Sequence, residues 1–161
     1  MRVRIVVADQ SEADFYELER RDSPPRWVQR LEDADAHLHD RDLKSDRPGR
    51  VFTHTPSAAG RRGAVTHHST GGERSPRKVE AQRFARRIGE ALDEARRQHQ
   101  FDRLVIMAPP AFLGLLRQEM PAAVRALLSA EIAKDLVHEP REALADYLPP
   151  GTFTQHPIAG D

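Results

Sequence analysis

Asp9 follows the β-branched run VRIVVA at residues 3–8, so it stands where a buried strand leaves the core. A two-metal nuclease needs such an acid, because its metals sit about 4 Å apart among carboxylates converging from strands and a helix. Glu80 and Glu90, on a helical pattern further along, are the acids that would face it. The second apolar strand ends VIMAPP and supplies none. The two-metal pattern is therefore incomplete, and Asp9 reads as a strand-end residue that binds its local backbone. His37 and His39 share a face if that stretch is a strand, but one pair without a third ligand makes no metal site. His54, His67 and His68 fall among loop residues, and Ser57, Ser69 and Ser75 have no G-x-S-x-G elbow around them. No metal and no cofactor is expected.

Arginine is the more informative residue. The formal charge of the 161 residues is zero, yet residues 1–39 carry −3, residues 40–97 carry +6 and residues 98–161 carry −3. A basic centre in an acidic frame attracts phosphates in a salt-dependent way. Its cations are Arg41, Lys44, Arg47, Arg50, Arg61, Arg62, Arg74, Arg77, Lys78, Arg83 and Arg87, with Arg86 beside them. Arginine far outnumbers lysine here, which favours bidentate contacts to phosphate. Phe52 is the one aromatic in the loop part of this segment, so sequence-indifferent contact with structured RNA fits better than base stacking. The competing reading is a solvated loop. Within DRDLKSDRPGR, residues 40–50, Asp40, Asp42 and Asp46 alternate with the cations and lead to Pro48-Gly49. That alternation suits an ion-paired brace of Asx turns that orients the loop and contacts a partner only secondarily.

The elements that must position these residues follow from periodicity. Strands are expected at 3–9, 14–20 and 34–40, with SPPRW at 23–27 as a turn. From about 45 to 75 no period holds, and Pro, Gly, Ser, Thr, His and Arg dominate. Phe84, Ile88, Ala91, Leu92 and Ala95 then mark an amphipathic helix over roughly 76–98, with Ser75-Pro76 as cap and first-turn proline. FDRLVIMAPP is a strand, Pro110 opens a helix to about Met120, and Pro121 opens a shorter one. SAEIAKDLV contains a further strand, and PREALADYL is a last helix. The fold class is α/β, a mixed sheet flanked by helices. Residues 1–150 form one domain with the basic loop at about 45–75, and 151–161 form a flexible tail. Cysteine is absent, which removes disulfides, thiolate metal sites and a cysteine nucleophile. No apolar run approaches the ~20 residues of a membrane span, and MRVRIVVAD is no secretory signal, so a soluble, cytoplasmic protein without a membrane partner is expected.

DRDLKSDRPGR, EAQRFARRIGEAL, FDRLVIMAPPAFLGLLR and AKDLVHEPREAL, in this order and spacing, resemble the bacterial host attachment protein family. That family is grouped with bacterial relatives of the archaeal and eukaryotic class-one translation release factor. The resemblance implies the RNase H-like fold of that factor's middle domain, and a ribosome or tRNA as partner. It also implies that Gly71, Gly72 and Glu73 occupy the place of the factor's Gly-Gly-Gln loop, just before an arginine-rich helix. Glu73 departs from the motif. A carboxylate there meets repulsion from RNA phosphate and offers different hydrogen-bonding groups from glutamine, so peptide release is not expected. The expected role is thus an RNA-binding, translation-associated factor, more a binding protein than an enzyme. The alternatives are a protein that interacts with a host-cell component, as the family name says, and a hydrolase of peptidyl-tRNA or RNA.

Overall fold

A computed structural model describes residues 1–34 and 75–154. The chain divides into two compact units, Met1–Asp33 with Ala81–Asp161, and Ala34–Glu80. In the first unit β1 (Val3–Ala8), β2 (Glu12–Leu18) and β3 (Arg26–Glu32) come first in sequence. Helix α1 (Pro76–Arg97) enters it from the second unit, followed by β4 (Arg103–Met107), α2 (Pro110–Glu119), α3 (Ala122–Arg125) and β5 (Leu128–Ile132). A short α4 (Arg141–Leu144) runs into a 3-10 turn at Ala145–Tyr147.

The five strands form one sheet in the order β3-β2-β1-β4-β5. β1 pairs antiparallel with β2 and parallel with β4, β2 antiparallel with β3, and β4 parallel with β5. The mixed α/β sheet expected from sequence is what forms. β1 and β4 lie in the middle, and both their faces are covered, which is why they read as unbroken apolar runs. Val6, Phe15, Leu104 and Ile106 face Phe84, Ile88 and Leu92 of α1 and Leu116 of α2. Ile5, Val7, Val105 and Met107 face the opposite way, onto Leu136, Val137, Leu144 and Leu148. Among the described residues no helix is long and apolar enough to cross a membrane.

Two details of α1 govern its placement. Gly89 lets the helix approach α2 so closely that a Cβ there would stand 3.0 Å from the Glu119 carbonyl oxygen. The helix ends with His99 in left-handed backbone, φ 55°, where the His99 N–H donates to the Arg96 carbonyl and the Gln100 N–H to the Ala95 carbonyl. This is a Schellman closure with histidine where glycine is usual.

The second hairpin differs from expectation. The turn expected at 23–27 stops short of Arg26 and Trp27: β3 begins at Arg26, directly after Pro24-Pro25. The register slips between Phe15, opposite Gln29, and Tyr16, opposite Trp27, leaving Val28 as the extra residue of a β-bulge. The bulge breaks the two-residue alternation by which a strand is recognised. Of the strand expected at 34–40 only Ala34 is described, in helical backbone. The tail expected at 151–161 is described as far as Thr154, and its first residues are held. Arg103 donates to the Gly151 and Thr152 carbonyls, Arg21 donates to those of Leu148 and Pro149, and Thr152 is only 3% exposed.

Candidate functional site

α1 presents two chemically opposite faces. Ala81, Phe84, Ala85, Ile88, Leu92 and Ala95 recur at helical spacing and are buried. Arg83, Arg86 and Arg87 fall between them and are exposed. Arg83 makes no ion pair among the described residues. Arg86 meets Glu90 at 3.5 Å, both well exposed, a pairing of at most about 1 kcal/mol that a phosphate readily displaces. Arg87 is more firmly placed: its guanidinium lies 5.6 Å from the Phe84 ring centroid, and Nη1 donates to the Glu32 carbonyl at 3.1 Å. These contacts fix its stem and leave Nη2 and Nε for an anion. Three guanidiniums on one rigid helical face can bind phosphate or carboxylate groups bidentately.

Further up the helix, in the second unit, Arg77 and Lys78 are exposed, and the Lys78 N–H donates to the Ser75 hydroxyl at 3.2 Å, the cap read from the sequence. The remaining basic candidates, Arg41, Lys44, Arg47, Arg50, Arg61, Arg62 and Arg74, lie outside the described residues. So do the brace residues Asp40, Asp42, Asp46, Pro48 and Gly49, the histidines at 37, 39, 54, 67 and 68, and Gly71, Gly72 and Glu73.

Asp9 is described. Its Oδ1 accepts from the N–H groups of Ser11 at 2.7 Å and Glu12 at 2.8 Å, and so builds the turn between β1 and β2. Glu90 points to solvent and pairs with Arg86. Among the described residues no three His, Asp or Glu side chains group closely enough to hold a metal ion.

One cluster was not legible in the sequence. Asp14 on β2, 2% exposed, accepts from Arg30 Nε at 2.8 Å, Arg30 Nη2 at 2.9 Å and Trp27 Nε1 at 3.1 Å. Its carboxylate holds the Arg30 guanidinium far above its usual pKa, and Glu12 and Glu32 add to the effect. Burial, then Asp14, pushes the Tyr16 phenol up, so it keeps its proton. The bulge is the reason these groups meet. Residues three apart on a regular strand face opposite ways, and the extra Val28 turns Trp27 onto the Arg30 face.

Residues 4–148 match the profile of a family described as protein required for attachment to host cells. The chain belongs to that family. The match begins within β1 and ends just past the 3-10 turn, so the arginine face of α1 and the Asp14 cluster lie within the matched residues. No curated protein matches the chain.

Proposed function

We propose that this member of the host attachment family works by binding, and that Arg83, Arg86 and Arg87 on α1 are its contact to an acidic or phosphorylated component of the host cell. The observation that carries the reading is an exposed three-arginine face on a rigid helix, inside a chain whose family is one of attachment. Adhesion of bacteria whose own copy is deleted and replaced by Arg83→Glu/Arg86→Glu/Arg87→Glu tests it. Adhesion falls to the level of the deletion strain while the thermal stability of the purified variant changes by no more than a degree or two. Wild-type adhesion by that strain removes the arginine contact, and wild-type adhesion by the deletion strain removes the attachment reading.

A second reading has its own support. The strand order, with β2 antiparallel inside an otherwise parallel centre, is compatible with an RNase H-like fold, and a guanidinium face equally suits RNA phosphate. It makes the protein a ribosome- or tRNA-binding, cytoplasmic factor resembling the release factor middle domain. Co-sedimentation with ribosomes at two salt concentrations tests this, since each neutralised phosphate contributes a slope of about −0.7 to −0.9 in log K against log salt. No association at low salt sinks it. A hydrolase variant of the same reading rests on Glu73, and unchanged peptidyl-tRNA hydrolysis by Glu73→Ala removes it.

A further inference from the structure

We propose that half-exposed Trp27, with the rim of partly buried Tyr16 beside it, is a stacking platform for a neutral pyranoside sugar at the β2–β3 edge of the sheet. Trp27 is the single tryptophan of the chain and is 51% exposed. An indole of this size left half in water forgoes a large part of its burial free energy. It is not a loosely held side chain, because Nε1 is tied to Oδ1 of buried Asp14, which Arg30 holds through both carboxylate oxygens. The bulge at Val28 aims the ring onto the Arg30 face, as bulges do beside binding sites. Cross-strand pairing sets Tyr16 directly opposite Trp27, and its hydroxyl makes no hydrogen bond among the described residues.

The surrounding charges select the ligand. Arg30 lies against Asp14, and within 3.7 Å of Glu12 and 3.8 Å of Glu32, while Arg141, whose charge reaches Tyr16, meets Glu142 at 3.1 Å. Both guanidiniums are neutralised and carboxylates outnumber them, so a phosphate chain is repelled here although the indole would stack on a base. A β-strand from a protein partner is disfavoured too, because the bulge shifts the register of the edge it would have to follow. What fits is an uncharged molecule with one apolar face and a hydroxylated rim. A pyranose offers its C–H face to the indole and its hydroxyls to the carboxylates of Glu12 and Glu32, which accept, and to the Tyr16 hydroxyl.

The proposal goes beyond the arginine contact and is tested apart from it. With one tryptophan, the emission of the full-length protein reports this site directly. Titration with lactose, cellobiose and maltotriose, followed by a panel of immobilised neutral glycans, gives a saturable change with at least one of them. Calorimetry with that sugar shows Trp27→Ala weakening binding about tenfold or more, the equivalent of about 1.4 kcal/mol. Trp27→Phe, which keeps a ring and guards against misfolding, stays within a few-fold of wild type. No saturable change with any sugar, or undiminished binding by Trp27→Ala, overturns the platform. So does a salt-sensitive quench by poly(U) that the sugars do not compete away. None of these results depends on whether α1 supports adhesion, so the two readings fail separately.

Discussion

Replacing Glu17 by alanine isolates what a buried arginine costs this sheet. Arg4 sits in β1 directly opposite Glu17 and is 1% exposed, yet its surroundings satisfy it only in part. Nη2 lies 3.5 Å from Glu17 Oε2 and 3.4 Å from Gln100 Oε1, the guanidinium stands 5.4 Å from the Phe101 ring centroid, and Nε has no hydrogen-bond partner among the described residues. Burial pushes the Arg4 pKa down and Glu17 holds it up. Removing one member of a buried pair costs about 3–5 kcal/mol, because the other charge is left uncompensated. The long Arg4–Glu17 contact, with Gln100 and Phe101 still in place, puts Glu17→Ala near the lower figure, about 3 kcal/mol. At 2–4 °C per kcal/mol for a chain of this size, Tm falls by about 6–12 °C. Glu17 also holds Arg26, but that cation is exposed, so Arg26→Ala alone changes stability by at most about 1 kcal/mol. The decisive variant is Arg4→Met/Glu17→Ala, which exchanges the pair for apolar volume and returns to within about 1 kcal/mol of wild type. Urea unfolding of wild type, Arg4→Met, Glu17→Ala and the double variant gives the cycle. A Glu17→Ala loss below about 1 kcal/mol, or a double variant no better than the single one, refutes the reasoning.

Three further outcomes follow from α1. Gly89→Ala loses about 1–3 kcal/mol by denaturant unfolding, because the new Cβ meets the backbone of Glu119, which cannot swing aside, and this exceeds the roughly 1 kcal/mol gained in helix propensity. His99→Gly gains about 1 kcal/mol by relieving left-handed backbone at the helix end, and a loss there would show that the imidazole makes a compensating contact. Arg96, then Arg97, holds the Asp93 carboxyl below the usual carboxylate range, so its contribution is complete above the unfolded value near pH 3.9 and disappears as pH falls through the lower folded value. Urea midpoints of wild type and Asp93→Asn therefore differ at pH 6 and converge toward pH 2; a constant gap would assign the difference to packing instead.

β1, α1, β4 and α2 were legible in the sequence because each presents one uninterrupted period, continuous where both sheet faces are covered and 3.6 where one helix face is. β3 was not, since its period is cut in the middle by Val28. The same insertion hid the cluster on it: by count Trp27 and Arg30 belong to opposite faces, and only the slipped register brings both to Asp14. Strand order was illegible for another reason, because pairing β1 with β4 is a contact between segments about 100 residues apart that no local pattern records. The arginine face of α1 was readable, since helical spacing alone separates Arg83, Arg86 and Arg87 from the buried stripe.

Segment charge misleads where the structure assigns each acid a task. Residues 1–39 carry −3 by count, yet Asp9 is taken up by two backbone N–H groups, Asp14 by Arg30 and Trp27, Glu17 by Arg4 and Arg26, and Asp22 by Arg20 at 2.7 Å. These carboxylates orient donors more than they charge the surface. Among the described residues, the local field on α1 is therefore set most directly by cations without an acid beside them, such as Arg83. Binding through α1 should accordingly respond strongly to reversing Arg83 and weakly to neutralising the acids of β2, whose loss would be read in stability.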